Sequence, residues 1–304
     1  MSKWRTLRST SMASAIVLCA GFGTRLRPLT DELPKPLVPV GDQSILEHAV
    51  LSLSRAGFEQ VVINVCHLAG VFERYVGRLA LRAQVVVEPE VRGTAGGVAG
   101  ARRHLQSAPV LVWNGDILVE PPIDALLANA GSDHFCFGVA PRPLGEGTVG
   151  LDDQGHVVRL RGERFGEETR SGDYVGVLAL GAAVRDALPE RGCWLGDAAL
   201  PRLRAGGRVT SVPVTRPWTD AGDPASLLRA NLEWLAARGL DSFVASDVEI
   251  AAGVSVEHSV VSAGARVLGQ GRIERCVVCP GATAVAPLRD AIIAPSGRVV
   301  NARA

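Results

Sequence analysis

The chain has 304 residues, of which 47% are hydrophobic and 21% are charged. This composition is typical of a globular protein with a full apolar core, and it excludes disorder as the main state. The 32 lysines and arginines nearly balance the 31 aspartates and glutamates, so a concentrated basic surface for a nucleic acid is not expected. A chain of this length makes either two domains or one large one.

The first residues imitate a signal peptide. We expect residues 1–12 to form a disordered leader, because the apolar stretch from Ala15 to Ala20 is too short for a secretory core. The bulky Leu18 before Cys19 argues against lipoprotein cleavage. No apolar run approaches the roughly 20 residues of a membrane span, so no membrane association is expected. Six scattered cysteines do not make a disulfide framework, which favours a cytoplasmic location.

Short apolar runs alternate with helical patterns in the first half of the chain. This alternation predicts βαβ crossovers and a parallel sheet that is covered on both faces. In chain order, the predicted elements are a strand at Ala15–Leu18, a helix over Ile45–Leu53, a strand at Val61–Ile63, a helix near Val71–Leu79, a strand at Val85–Val87, a helix near Gly97–Leu105 and a strand at Val110–Val112.

The pattern becomes mixed from Phe135 to Val214. The elements predicted from there on are strands near 135–140, 157–160 and 174–180, helices near 183–188 and 197–205, a strand at Val209–Val214 and a helix over Pro224–Ala237.

The C-terminal part repeats itself. The segment Ser259–Ala265 (SVVSAGA) returns as Cys276–Ala282 (CVVCPGA) and more loosely as Ala291–Gly297 (AIIAPSG), and apolar residues recur every six positions. A six-residue period with small residues predicts a short β-helix, with a boundary near 238–246. Cys276 and Cys279 take the place of serines in one copy and of alanines in another, so we interpret them as small core residues and not as half of a metal or redox site.

A glycine turn directly follows the first strand. Gly21-Phe22-Gly23 lets backbone amides approach a phosphate, and Arg25 and Lys35 add cations close behind it. Asn114-Gly115-Asp116 follows another predicted strand. Because ligands bind at the carboxyl ends of parallel strands, both segments are expected to face one cleft. The turn lacks the Walker A pattern and the third glycine of a dinucleotide fingerprint.

These segments resemble those of the sugar-1-phosphate nucleotidylyltransferases, and most closely the mannose-1-phosphate guanylyltransferase branch. The resemblance implies a Rossmann-like mixed α/β sheet of the glycosyltransferase-A type over residues 13–240 and a short left-handed β-helix over 246–304. The matching segments, in order, are GFGTRLRPLT with PKPLVPVG, Gly93–Gly96, Asn114–Asp116, Trp218–Gly222 and the hexad tail.

The resemblance implies a reaction of a sugar 1-phosphate with a nucleoside triphosphate that releases pyrophosphate, with GTP and mannose 1-phosphate favoured. A phosphate nucleophile is already anionic, so positioning and charge neutralisation replace a general base. Arg25, Lys35 and Asp116 are the expected catalytic residues, and Asp116 and Asp220 the expected Mg²⁺ ligands. Taken singly, each aspartate is equally consistent with a turn or helix-cap role.

The remaining roles also come from the resemblance. It assigns nucleotide binding to Ala20, Gly21, Gly23, Thr24, Arg25, Lys35, Glu90, Gly93 and Thr94. It assigns sugar-phosphate binding to Asn114, Gly150, Arg161 and Val175, and for Gly150 and Val175 a packing role is equally consistent.

One segment departs from the family pattern. The family carries Glu-Lys-Pro where this chain reads Leu160-Arg161-Gly162-Glu163-Arg164, so Arg161 or Arg164 would have to replace the lysine that grips the sugar phosphate. This leaves open a synthase of UDP-sugars or other nucleotide sugars, and a catalytically silent subunit that senses nucleotide sugars. Self-association through the β-helix is a further expectation.

Overall fold

A computed structural model describes residues 13–303. The leader predicted at residues 1–12 lies outside the described residues. The strands up to residue 220 are β1 (Ser14–Leu18), β2 (Pro39–Val40), β3 (Gln43–Ser44), β4 (Gln60–Val65), β5 (Arg82–Val87), β6 (Val110–Asn114), β7 (Ile117–Val119), β8 (Phe135–Arg142), β9 (Val149–Leu151), β10 (Val157–Leu160), β11 (Glu163–Arg164), β12 (Arg170–Leu180), β13 (Val209–Pro213) and β14 (Trp218–Asp220).

Seven α-helices accompany these strands in the described part of the chain. They are α1 (Ile45–Arg55), α2 (Ala69–Tyr75), α3 (Gly93–Ala101), α4 (Ile123–Ala128), α5 (Ala182–Asp186), α6 (Leu200–Arg204) and α7 (Pro224–Ala236), with a π-helical segment at Trp194–Ala199 just before α6.

The central sheet has ten strands in a mixed arrangement. Its main path runs β11-β10-β9-β12-β6-β1-β4-β5, and β8 and β13 continue from β12. Strand β1 pairs in parallel with β4 and β6, whereas β12 runs antiparallel to β6. The predicted α/β sheet is therefore confirmed, and the carboxyl ends of β1 and β6 lie side by side.

Local sequence explains where the helices start. Ser44 and Glu47 form a reciprocal capping box at the beginning of α1, which confirms the helix predicted at Ile45–Leu53. Helix α3 begins at Gly93, earlier than the predicted Gly97. The reason is tertiary: the backbone N–H groups of Ala95 and Gly96 donate to the carbonyl of Gly192, which fixes the first turn.

The C-terminal strands β15 to β20 (residues 243–293) pair with one another in parallel, as in a β-helix, whereas the last strand, β21 (Val299–Asn301), runs antiparallel to β20. Val260 pairs with Phe243 on one side and with Val277 on the other, the same spacing that separates the repeated sequence segments. The left-handed twist of these coils stays a prediction. The strands are β15 (Phe243–Val244), β16 (Glu249–Ile250), β17 (Val254–Glu257), β18 (Val260–Val261), β19 (Arg266–Val278), β20 (Thr283–Ile293) and β21 (Val299–Asn301).

Apolar packing joins the stacked strands to the rest of the chain. Leu227 and Leu235 of α7 belong to one buried cluster with Val260, Val277 and Ile292. Cys276 and Cys279 are free thiols inside this cluster, and burial raises the pKa of Cys276 to about 11, as expected of core residues. The domain boundary near 238–246 stays a prediction. Among residues 13–303, no helix is both long and apolar enough to cross a membrane.

Candidate functional site

A cavity of about 320 Å³ opens at the carboxyl ends of β1 and β6. This is the position where ligands bind in open α/β sheets, and the volume suits a small molecule. The residues that line the cavity are Leu18, Cys19, Ala20, Gly21, Gly23, Thr24, Arg25, Lys35, Pro36, Asn64, Val91, Gly93, Thr94, Asn114, Asp116 and Gly222. The glycine turn and the Asn114–Asp116 segment therefore face one cleft, as the sequence predicts.

The glycine turn is built for close packing behind the cavity. Gly23 has a φ of 62°, and a Cβ there would lie 2.8 Å from Cγ2 of Thr30. The Thr30 hydroxyl donates to the carbonyl of Gly23 at 2.9 Å. At Gly21, by contrast, nothing lies within 4 Å of a would-be Cβ. The turn thus presents an open backbone edge at Gly21, where a phosphate has room to approach.

Lys35 lies between the two aspartates. Its Nζ donates to Oδ2 of Asp116 at 2.7 Å and to Oδ1 of Asp220 at 3.4 Å. The Lys35 side chain is only 8% exposed, whereas those of Asp116 and Asp220 are 34% and 40% exposed. Arg25 approaches Asp220 from the solvent side at 3.6 Å.

The strand ribbon of β7 and β14 explains why two distant aspartates meet. Asp220 pairs with Ile117 in this antiparallel ribbon, and the N–H of Ala221 donates to the carbonyl of Asp116 at 3.3 Å. Prolines 34 and 36 flank Lys35 and hold it in a short 3₁₀ turn. The four charged side chains predicted from the sequence therefore converge on one point.

The aspartate pair fits a divalent cation. Two carboxylates already share one cationic group, and oxygen donors of this kind suit Mg²⁺, which normally takes its other ligands from phosphates and water. Within residues 13–303, no cluster of three or more His, Cys, Asp or Glu side chains is arranged to bind a metal. Asp116 and Asp220 would therefore hold the ion only together with a bound substrate.

A buried polar pair, Asn64 and Glu88, supports one wall of the cavity. The Asn64 amide donates to the Glu88 carboxylate at 2.7 Å and accepts from the backbone N–H of Cys19 at 2.9 Å. Gly97 of α3 packs so closely that a Cβ there would lie 2.5 Å from Nδ2 of Asn64. Sequence reasoning missed Asn64 and Glu88. Polar residues at the ends of the apolar strands β4 and β5 are the signal that indicates them.

Five buried side-chain nitrogen or oxygen atoms lack a hydrogen-bond partner within residues 13–303, and one of them, Oδ1 of Asn114, belongs to a residue that lines the cavity. Another is the hydroxyl of Tyr174. Burial, with a smaller contribution from the Asp116 carboxylate, raises the pKa of the Tyr174 phenol far above its ordinary value. Buried polar groups normally have partners, so Oδ1 of Asn114 marks a place in the cavity where a ligand would donate a hydrogen bond. Tyr174, a third residue that sequence reasoning missed, is not among the lining residues.

Five predicted site residues do not line the cavity. Asp220 is one of them, but it contacts the lining residues Lys35 and Arg25; the other four lie elsewhere. Glu90 is exposed and pairs with Arg191. A Cβ at Gly150 would lie 2.4 Å from the Glu168 carboxyl, so this glycine makes room for a buried ion pair. Val175 is fully buried in the core.

Arg161 is the last predicted site residue that lies away from the cavity. It lies in the turn between β10 and β11, at the outer edge of the sheet, and its guanidinium donates to Sγ of Cys193 at 3.4 Å. A two-residue turn with φ values of 50° at Arg161 and 83° at Gly162 reverses the chain at this point. The predicted replacement for the family lysine is therefore not at the cavity, and Arg164 lies on the same edge strand.

Comparisons with known proteins agree with this geometry. The chain is 28% identical to mannose-1-phosphate guanylyltransferase of Mycobacterium tuberculosis over 235 residues, covering 74% of this chain and 65% of the relative. It is 28% identical to probable mannose-1-phosphate guanylyltransferase 1 of Oryza sativa subsp. japonica over 284 residues, covering 88% of this chain and 74% of the relative. The chain thus spans just under two thirds of the first of these relatives.

The fold and a family model complete the comparison. The crystal structure of HddC from Yersinia pseudotuberculosis complexed with GMP-PN superposes with a TM-score of 0.62 at 19% identity, covering 73% of this chain and 100% of that chain. The nucleotidyl transferase family model matches residues 14–236, which include every cavity-lining segment. The chain belongs to the nucleotidyl transferase family.

Proposed function

We propose that this chain joins a sugar 1-phosphate to a nucleoside triphosphate and releases pyrophosphate, with mannose 1-phosphate and GTP as substrates. The observation that carries the proposal is that Arg25, Lys35 and Asp116 line one cavity behind a glycine turn and that Asp220 contacts both Lys35 and Arg25 there. Relatives named mannose-1-phosphate guanylyltransferase support the choice of sugar and base.

The reaction needs two anions to meet. An oxygen of the sugar phosphate forms a bond to the α-phosphorus of the triphosphate, and the bond from that phosphorus to the bridging β-oxygen breaks. The electron pair leaves with pyrophosphate, and no proton has to be removed from the nucleophile. Catalysis then rests on alignment and on neutralising the charge that builds up around the α-phosphate.

Each charged residue has a distinct part in that task. The glycine turn and Arg25 would bind the triphosphate, and the nearly buried Lys35 would stabilise negative charge near the α-phosphate, where low exposure strengthens its effect. Asp116 and Asp220 would hold Mg²⁺, which neutralises phosphate charge when bound. On the side of the bound sugar 1-phosphate, Oδ1 of Asn114 would accept a hydrogen bond from a sugar hydroxyl, and the Tyr174 hydroxyl would donate one to the phosphate.

The first experiment is a substrate screen. Each common nucleoside triphosphate is paired with several sugar 1-phosphates in the presence of Mg²⁺, and pyrophosphate release is followed. The proposal predicts the highest kcat/KM with GTP and mannose 1-phosphate. Higher activity with UTP or another sugar would replace those substrates while keeping the reaction class, and silence with every pair would rule out the enzyme.

The aspartates are tested in the same assay. Asp116→Asn and Asp220→Asn keep the side-chain shape but remove a charged ligand, so each is expected to lower Mg²⁺-dependent turnover by about a hundred-fold or more. The control is Asp153→Asn, which changes an exposed loop aspartate and should leave turnover unchanged. Wild-type rates in either site variant would show that its aspartate does not hold the metal.

A second candidate is a catalytically silent subunit that binds a nucleotide sugar. The observation that favours it is the lack of a third cation at the cavity: Arg25 and Lys35 are the cationic residues among the described lining residues, and Arg161 lies elsewhere. Equilibrium titration with GDP-mannose separates the two candidates. Binding without turnover of any substrate pair would establish the silent role. The cytoplasmic location and the self-association expected from the sequence stay predictions.

A further inference from the structure

The loop from Gly21 to Val38 carries both cavity cations but has little regular structure of its own. Its only helical elements are three 3₁₀ turns at Thr24–Leu26, Leu29–Asp31 and Lys35–Leu37. Short turns of this kind have few internal hydrogen bonds. The position of Arg25 and Lys35 must therefore be fixed largely by what the loop packs against.

A buried apolar cluster supplies part of that support. Leu26 and Leu29 are fully buried and belong to the same cluster as Leu227 of α7 and Val260 and Ile273 of the C-terminal strands. Leu33 packs against this cluster. The loop, α7 and the C-terminal strands therefore share one apolar core.

A polar contact completes the support at the tip of the last hairpin. Strands β20 and β21 are joined through residues 294–298, and this hairpin contains Ser296. The Glu32 carboxylate accepts from the Ser296 backbone N–H at 2.9 Å through Oε2, and from the Ser296 hydroxyl at 2.7 Å through Oε1. The two residues are 264 positions apart in sequence, so the contact closes a very long loop.

We propose that this contact, the Glu32–Ser296 clasp, is a positioning device for the proposed nucleotidyl transfer. Glu32 lies between Thr30, whose hydroxyl holds the Gly23 carbonyl at 2.9 Å, and Lys35, whose ammonium holds both aspartates. A hairpin anchored at Glu32 therefore fixes the loop midway between the glycine turn and the catalytic lysine. The C-terminal region is in this sense part of the active site, although it contributes no residue to the cavity.

The clasp should act on the chemical step more than on binding. Triphosphate binding draws on the open glycine backbone and on Arg25, whereas charge stabilisation by Lys35 depends on an accurately held side chain. Loosening the loop is therefore expected to lower kcat while leaving the dissociation constant of GTP nearly unchanged. The inference rests on the proposed function for its kinetic part only.

The test is a double-mutant cycle with Glu32→Gln and Ser296→Ala. Each single variant is expected to lower kcat about five-fold, the size of the net contribution of one ordinary hydrogen bond. The double variant should be no slower than the slower single one, and Ser296→Thr, which keeps the hydroxyl, should restore the rate. The matched control is the exposed pair Arg272–Glu257 within the C-terminal strands, where Arg272→Gln should leave kcat unchanged.

Amide hydrogen exchange gives a second readout that does not require turnover. Ser296→Ala should reduce protection in residues 29–38 but not in α1, and the Arg272→Gln control should change neither. The proposed role of the Glu32–Ser296 clasp is wrong if the loss of kcat in the double variant equals the product of the two single losses. It is also wrong if hydrogen exchange in residues 29–38 is unchanged in Ser296→Ala. If the wild type itself shows no turnover, the proposed function fails while the exchange result still decides the clasp.

Discussion

Lys35 is the residue on which the proposed chemistry depends most. It is almost fully buried between two carboxylates, so its charge is poorly screened by solvent. Lys35→Ala is expected to lower kcat by about a hundred-fold or more, while the dissociation constant of GTP changes only a few-fold. Steady-state kinetics and equilibrium titration measure the two quantities. The control is Arg82→Ala, which removes an exposed arginine. If Lys35→Ala lowers kcat and the affinity for GTP by the same factor, Lys35 does not act in the chemical step.

A substitution at Tyr174 tests whether this residue binds the sugar 1-phosphate. Its hydroxyl is buried without a partner, so a bound sugar phosphate would supply the missing hydrogen bond. Tyr174→Phe is expected to raise KM for the sugar 1-phosphate about five-fold to ten-fold and to leave KM for GTP unchanged. Tyr75, the only other tyrosine, donates to Ser44 at 3.0 Å, and Tyr75→Phe is the matched control. An unchanged KM for the sugar 1-phosphate in Tyr174→Phe would remove Tyr174 from the site.

A substitution in helix α3 tests whether the Asn64–Glu88 pair supports GTP binding. Gly97 lets the helix approach the Asn64–Glu88 pair, and an added methyl group would collide with the Asn64 amide. Gly97→Ala is therefore expected to weaken GTP binding about ten-fold, because the pair supports the segment that starts at Gly93. Gly77→Ala is the control, since nothing lies within 4 Å of a Cβ there. GTP binding of wild-type strength in Gly97→Ala would show that the pair is not needed.

A buried ion pair lies beside strands β9, β10 and β12. The hydrogen bonds from Arg159 lower the pKa of Glu168 from 4.5 to about 2, and the Glu168 side chain is only 4% exposed. A lowered pKa in the folded state adds stability that is complete above pH 4.5 and is lost as the pH falls through about 2.

Glu168→Gln should therefore cost about 3 kcal/mol of unfolding free energy near neutral pH. The difference from the wild type should shrink as the pH falls from 4.5 towards 2. Urea unfolding at several pH values measures this. Glu163→Gln, at an exposed contact with Arg204, is expected to leave the unfolding free energy nearly unchanged at every pH. A difference at Glu168 that does not depend on pH would contradict the ion-pair explanation.

The sequence predicted the elements whose signals are local. The apolar run of β1, the glycine turn and the α1 helix follow from neighbouring residues alone. The ribbon of β7 and β14 was not predicted, because each strand has three residues and depends on a partner about a hundred positions away. The same limit applies to Asn64, Glu88 and Tyr174, whose roles depend on contacts between strands and not on a motif.

The misplaced residues have a related cause. Arg161 was assigned in the segment where this chain departs from the family pattern, and the Arg161–Gly162 turn reverses the chain there. Gly150 was assigned from a matching segment and Glu90 from its place beside Gly93, and a sequence position alone does not show whether a residue faces the cavity. The charged cluster at the cavity was predicted correctly because its segments each keep a complete motif.

At the level of the whole molecule, the structure links its two ends. The loop from Gly21 to Val38 shares a buried apolar cluster with the C-terminal strands, and its Glu32 accepts hydrogen bonds from Ser296. Removing the C-terminal strands would expose that cluster, so a chain cut near residue 240 is expected to lose stability as well as activity. Thermal unfolding of such a truncation checks this, and an unchanged melting temperature would show that the two parts fold independently.

The central claim is that one cavity neutralises two phosphate-bearing substrates with Arg25, Lys35 and a metal held by Asp116 and Asp220. A crystal structure of the chain with GDP-mannose and Mn²⁺, recorded with anomalous scattering, tests it most directly. The diphosphate is expected beside Arg25 and Lys35, and the anomalous peak at the two aspartates. A nucleotide sugar bound at another site, or a manganese peak away from both aspartates, would contradict the claim.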